Sequence, residues 1–368
     1  RFFHLIKLSY IHKWAGGSNY RHGLLCSYYK KTTCLCNEKT QLTNNQLTQS
    51  NAMKKFLLFM LGVLLALPGI ARDFTYEYEG QTLTYTVISE SAKTCMTKSG
   101  TEGPNGRYVE GGNYITGELI IPSVAKNGGV EYTVTEIGFG SFYHNPLTSL
   151  TIPESVTTIG SRSFEDCYLT SMFLGNSVTK ICDKAFYGCE DLRSLTLPET
   201  VTTIGRYAFY ECTGLTSLTL PEAVTSIGGF AFSECTGLTS VTIGNSVTTI
   251  GYGSFRHCTG LTSVTIPDAV TEIEGYAFHS CTNLRSVAIG NSVTKIGDMA
   301  FGYCGSLSSV IIPESVTIID SSAFHTCTGL TSVTIGNSVT TIGNMAFHDC
   351  RGLTSVLIPN SVTRIDGD

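Results

Sequence analysis

The chain has 368 residues, 42% of them hydrophobic and only 14% charged, a composition that excludes an intrinsically disordered protein. Residues 72–368 hold 28 acids against 15 Lys/Arg, a formal −13. No basic stripe runs through them, which argues against nucleic acid as a partner and against direct attraction to an anionic membrane.

Residues 1–52 carry seven Lys/Arg and one acid, Glu38, with no hydrophobic periodicity. The first methionine is Met53, and it opens MKKFLLFMLGVLLALPGIARDF. Lys54 and Lys55 precede twelve apolar residues, Phe56 to Leu67, and then the breakers Pro68 and Gly69. Gly69-Ile70-Ala71 supplies small residues at the cleavage positions. This is the pattern of a secretory signal peptide, Met53–Ala71, and it is shorter than the ~20 residues of a membrane span. Residues 1–52 are therefore read as sequence translated upstream of the real start. The alternative is a cytoplasmic extension before an internal anchor. The mature chain is expected to begin near Arg72, outside the cytoplasm.

Residues 72–116 predict a β-rich N-terminal cap. FTYEYEGQTLTYTV places Glu79-Gly80 between two alternating runs, which is a hairpin signal. Residues 117–368 predict a solenoid. Its first unit holds Leu119, Ile121 and Pro122, then Val134, Ile137 and Phe142. A second hairpin signal, Asn127-Gly128-Gly129, lies between those two halves.

From there the chain repeats every 22 or 23 residues. A spine of phenylalanine recurs at Phe142, Phe164, Phe186, Phe209, Phe232, Phe255, Phe278, Phe301, Phe324 and Phe347. Three residues after each one but the first stands a cysteine: Cys167, Cys189, Cys212, Cys235, Cys258, Cys281, Cys304, Cys327 and Cys350. L-T-S-V-T-I follows, in which Val264 and Ile266 alternate with Ser263 and Thr265, the period of a half-buried strand. A Pro or Gly corner ends it. V-T-T-I then makes a second short extended segment, whose first Thr (Thr157, Thr179, Thr202 and so on) is expected to face inward with Ile. Periods of this length with this leucine spacing predict a leucine-rich-repeat solenoid with parallel strand ladders. Equal positions should stack ~4.8 Å apart, and each coil should depend on its neighbours for burial. Two copies of CTGLTSVTIGNSVTTIG, at 235–251 and 327–343, together with Pro and Gly-Asn corners that alternate from Gly244 to Pro359, point to copying in two-coil steps. The chain stops at Thr363–Asp368, where the next A-F should follow, and is expected to be truncated there.

The unit C-T-G-L-T-S-V-T-I-P-D-A-V-T-E-I-x-G-x-A-F resembles the BspA-like leucine-rich repeats of bacterial secreted and cell-surface proteins. The likeness covers about Gly117–Asp368. It implies adhesion, with extracellular matrix proteins of the fibronectin and fibrinogen type as partners, and it supplies no catalytic residues and no cofactor.

Sites of chemistry are scarce. The cysteines are equivalent positions and are read as buried free thiols, with bridges between adjacent coils or a metal site as the alternatives. His279, His325 and His348 each follow a spine Phe, without the further ligands a zinc site needs, and are read as a solvated turn face. Ser149 to Ser355 form a ladder with no G-x-S-x-G elbow. Gly138-Phe139-Gly140 and Gly251-Tyr252-Gly253 lack the strand–helix context of a nucleotide loop. No enzyme is expected, because a catalytic group should break a repeat.

The breaks are therefore the candidate sites. On the outward strand face Thr151, Thr196, Thr219, Thr242, Thr265 and Thr334 are the norm, and Phe173, Ala288, Ile311 and Leu357 depart from it. Arg193 and Arg285 replace a Thr nearby. Phe173, Arg193, Arg285, Ile311 and Leu357 are the candidate partner-binding residues, since exposed aromatic and Arg side chains are typical anchors. Glu272 and Glu274 are read as a solvated acidic spot. Three functions remain open: an adhesin for extracellular proteins, a glycan-binding module using Ser/Thr with Tyr207, Tyr252 and Tyr276, and a passive surface spacer.

Overall fold

The computed structural model describes residues 73–100 and 113–367. The upstream segment, the signal peptide Met53–Ala71 and part of the cap lie outside the described residues.

Among the described residues every regular element is a strand and there is no helix. The chain opens with a hairpin of β1 (Asp73–Tyr78) and β2 (Gln81–Ser89), turned by Glu79 at φ 50° and Gly80 at φ 74°. Two successive positive-φ residues make a turn whose twist suits the flanking strands. β2 pairs antiparallel with β3 (Thr94–Thr97), which runs parallel to β6 (Val130–Ile137). β4 (Gly117–Ile120) is the first strand of the other face. β5 (Val124–Asn127) folds back on β6 through Gly128-Gly129, so both hairpin signals correspond to hairpins.

Each later coil contributes two parallel segments. One is V-T-T-I: β8 (Thr158–Ile159) follows β6, and nine equivalent two-residue strands follow in turn out to Arg364–Ile365, in one 15-stranded sheet. The other comes from L-T-S-V-T-I and forms three shorter sheets. β7 (Leu147–Ile152) pairs with β4 on one side and with β9 (Ser171–Leu174) on the other. Ser217–Thr219, Ser240–Thr242, Ser263–Thr265 and Ser286–Ala288 make the second sheet, and Ser309–Ile312 with Ser332–Ile335 the third. The segments 192–197 and 353–358 take no strand pairing.

The interior between these faces is a set of ladders. Phe142 to Phe347 stack ring on ring, with centroids 5.2–5.6 Å apart and planes within 10°. All but Phe347 are fully buried. The cysteines have a second reason to recur besides their size. Each of the nine thiols donates to the carbonyl of the spine Phe one coil earlier, at 3.1–3.4 Å. Burial pushes the thiols of Cys167, Cys235 and Cys304 up to about 12. A protonated thiol is the form that can donate.

One expectation reverses. The first Thr of V-T-T-I is exposed in every coil from Thr157 to Thr363. Val and Ile, three apart, point in, and both threonines point out. The first recurs because its hydroxyl donates to the carbonyl of the same Thr one coil earlier, as Thr179 to Thr157 at 3.2 Å and Thr294 to Thr271 at 3.0 Å. The amide of the same Thr donates to the same carbonyl.

The turn around each spine Phe is built differently. The residues two before and two after it have positive φ in all ten coils, and 17 of those 20 positions are not glycine. This backbone aims three amides forward: Arg162, Phe164 and Asp166 donate to Asp183, Ala185 and Tyr187 of the next coil. The strands donate the other way, as Thr179 to Thr157 and Cys182 to Ile159. Each residue in the left-handed region carries a steric cost, and here the inter-coil bonds offset it.

The corners explain the two-coil period. Asn176, Asn245, Asn291 and Asn337 each donate an amide N–H, at 2.6–2.8 Å, to the acid of the Pro corner one coil earlier: Glu154, Glu222, Asp268 or Glu314. The Asn side chain adds a second bond. The preceding Gly is required by close approach: a Cβ on Gly175 would lie 2.5 Å from the Pro153 carbonyl oxygen, and one on Gly336 2.5 Å from that of Pro313.

Candidate interaction surface

The outward face of the L-T-S-V-T-I rungs is a lattice of hydroxyls. Ser217, Ser240 and Ser263 stand in register, as do Thr219 and Thr242, with Thr265 opposite Ala288. Their hydroxyls make no hydrogen bond within the chain among the described residues, and all are exposed. The neighbouring column behaves differently. There Thr216, Thr239 and Thr262 spend their hydroxyls on the carbonyl one coil earlier.

The candidate residues interrupt this lattice. Phe173 is 55% exposed on β9, beside Thr151. Ile311 is 69% exposed, in register with Thr334. Leu357 lies on the last, unpaired rung, where Ile358, the equivalent of the buried Ile312 and Ile335, is exposed as well. Arg193 and Arg285 are exposed, and neither has an ion-pair partner among the described residues. They are the only charged residues on the ten rungs from Leu147 to Ile358. The fold puts all five on one face but in separate places. Arg193 sits one coil after Phe173, Arg285 one coil before Ile311, and Leu357 two coils beyond Ile311.

Glu272 and Glu274 are not a free acidic spot. Glu272 pairs with Lys295 at 3.6 Å, and Glu274 accepts the Tyr252 amide at 2.8 Å. Both are bonded because the neighbouring coil presents a donor at the same height.

A second feature has no counterpart in any single sequence column. A file of rings runs along the Phe turns. Tyr187 stacks on Tyr210 at 4.8 Å, and Tyr207 stacks on Phe230 at 5.0 Å. Tyr252 and Tyr276 follow, then His279, Tyr303, His325 and His348, each within 5.1–5.4 Å of a neighbour in the file. Lys184 lies over both Tyr187 and Tyr207. Tyr187, Tyr210, His279, His325 and His348 directly follow a spine Phe, and the other rings come from different positions of the repeat, so no one column of the sequence contains the whole file. His279 is half-buried rather than fully solvated as read above: burial first, then Arg256 and its histidine neighbours, hold it down at about 4. Tyr187 with Tyr210, Tyr207 with Phe230 and His325 with His348 cover one another's faces, and the other pairs meet edge-on or tilted, so the file does not form the flat, continuous platform that favours sugar recognition. Among the described residues no group of three or more His, Cys, Asp or Glu could hold a metal ion.

A family profile described as the BspA type leucine rich repeat region matches residues 135–262 and 248–368. No curated protein matches the chain. Among solved structures, a leucine-rich repeat protein from Bacteroides ovatus is 26% identical, over 79% of this chain and 88% of its own, with a TM-score of 0.56. A leucine rich cell surface protein from Faecalibacterium prausnitzii is 24% identical, over 80% of this chain and 94% of its own, at 0.42. The pneumococcal vaccine antigen PcpA is 19% identical over the same shares, at 0.48.

Proposed function

Because this chain belongs to the BspA-type leucine-rich repeat family, we propose that it is a bacterial secreted or cell-surface interaction protein, not an enzyme, and that it adheres to protein partners through its hydroxyl-rich rung face. One observation carries the reading. A polar, in-register lattice is broken by Phe173 and Ile311, whose side chains are more than half exposed. The fold does not need them there, since Thr fills the same position elsewhere. Large apolar side chains standing out of a polar face are characteristic anchors for a protein partner. The leader pattern of Met53–Ala71 supports export. Matrix proteins of the fibronectin and fibrinogen type are the first partners to try.

Glycan binding is the weaker reading, because Tyr207 has a face stacked on Phe230, and Tyr252 and Tyr276 lean on neighbouring rings at 42–64° and form no flat, continuous platform. The test is surface plasmon resonance of the chain over fibronectin, fibrinogen and a mock surface. Phe173→Thr and Ile311→Thr restore the repeat's own residue and should leave the fold intact. Saturable binding that weakens in those variants is expected. Flat traces from folded protein, or binding indifferent to both changes, would refute the proposal and send the search to the glycan and spacer readings.

A further inference from the structure

The interruptions on the rung face are spaced in a way that describes the partner. Phe173, Thr196, Thr219, Thr242, Thr265, Ala288 and Ile311 form one column of equivalent positions, so six coil steps separate the two apolar anchors. At ~4.8 Å per step that is about 29 Å. Arg193 and Arg285 occupy a second column three residues back along the strand, four steps apart, or about 19 Å. Both lie on the same side of the anchor column and within the span of the anchors. The lateral offset is about 10 Å, which an extended Arg side chain and a carboxylate side chain reaching toward it can close.

These two lengths fit one backbone. A polyproline-II chain rises ~3.1 Å per residue with three residues per turn. Nine residues of it span about 28 Å and six span about 19 Å. Both are whole turns, so the two apolar side chains of such a segment share one edge and two acids share another. A polyproline-II backbone has no internal hydrogen bonds. Its carbonyls and amides are free for the unspent hydroxyls of Ser217, Thr219, Ser240, Thr242, Ser263 and Thr265 that lie between the anchors. Charge points the same way, because the two arginines have no ion-pair partner among the described residues and are the only charges on the ten rungs from Leu147 to Ile358.

We propose that the rung face receives an acidic, extended segment of a partner protein, laid along the solenoid axis. Its two apolar residues, about nine apart, sit at Phe173 and Ile311, and its two carboxylates, about six apart, pair with Arg193 and Arg285. The inference rests on the protein-interaction reading above and specifies its partner. An anionic glycan would answer the arginines but leave Phe173 and Ile311 facing nothing apolar, so the peptide is favoured.

The test uses the full chain and three probes in fluorescence anisotropy. One is a proline-rich synthetic peptide with two leucines and two aspartates at these spacings. The second has the same composition with one aspartate moved by a single residue. The third is a heparin fragment. Saturable binding of the in-phase peptide is expected, with the out-of-phase peptide at least about tenfold weaker, the worth of one good anchor. Arg193→Thr with Arg285→Thr restores the repeat residue. It should cost the in-phase peptide a similar factor and flatten its salt dependence. Absence of binding, equal binding of both peptides, or no effect of the arginine pair overturns the proposal. Heparin binding tightly through the same arginines while the peptides fail replaces it with an anionic glycan. If the peptides fail while Phe173→Thr still weakens binding to a matrix protein, the interaction reading stands and only this partner assignment falls.

Discussion

The two-coil corner makes opposite forecasts for one chemical change. Gly175→Ala would place a methyl 2.5 Å from the Pro153 oxygen, 2.6 Å from its carbon and 2.7 Å from the Glu154 nitrogen. All three are backbone atoms of the previous coil and cannot rotate away. Ordinary contact needs roughly another 1 Å, so the two coils must part locally, at about 1–3 kcal/mol. Parting also stretches the Asn176–Glu154 bonds, 2.6 and 3.3 Å long, for about another 1 kcal/mol. Gly229→Ala is the control. Its methyl would meet nothing closer than Tyr252 oxygen at 3.4 Å, and restricting the unfolded chain should stabilise by about 0.4–1 kcal/mol. Urea unfolding followed by circular dichroism, with both variants beside the parent, measures the difference, expected at about 3 kcal/mol. A neutral Gly175→Ala, or equal losses at both sites, would refute the corner as the reason for the Pro/Gly alternation.

Other perturbations probe the ladders. Phe232→Ala removes a fully buried ring stacked on Phe209 and Phe255 and should cost about 3–5 kcal/mol in the same assay. Thr271→Val keeps the shape but deletes the donor to Thr248. A loss of about 0.5–1 kcal/mol is expected, whereas an inward-facing Thr would gain from the change. Native chain should resist iodoacetamide at Cys189, Cys212, Cys235 and Cys258, since burial raises all four thiols, and labelling should follow unfolding. Those thiols keep protons that an unfolded chain releases from about pH 9. Stability is therefore complete below pH 9 and falls above it, by about 1.4 kcal/mol per pH unit for each cysteine. A chain equally stable at pH 8 and pH 10.5 would contradict the buried-thiol assignment.

Much of the fold is written in the sequence because a stacked coil repeats its contacts. The Phe column, the alternation in S-V-T and the hairpins at Glu79-Gly80 and Gly128-Gly129 each follow from a local rule, and the fold has all of them. Thr157 and its equivalents misled because a polar residue that never varies looks buried. Its constancy comes from a hydroxyl bonded along the array, which leaves the side chain in water. The turns about each spine Phe left no signal, since Arg162, Tyr207 and Phe230 give no hint of positive φ. The ring file was hidden because Tyr207, Tyr210 and Tyr252 occupy different places in the repeat and meet only after stacking. For the candidate surface, the sequence identified which residues depart from the pattern. Only the rung register turned them into distances.

The opposed directions of hydrogen bonding have an electrostatic consequence. In a helix every peptide dipole points one way, and the terminal charge is a standing feature of the element. Here the amides of Arg162, Phe164 and Asp166 point toward the next coil, while those of Thr179 and Cys182 point toward the previous one. Within each coil the axial dipoles partly cancel. Each coil added to such an array brings a smaller axial dipole than the same peptides aligned in a helix would.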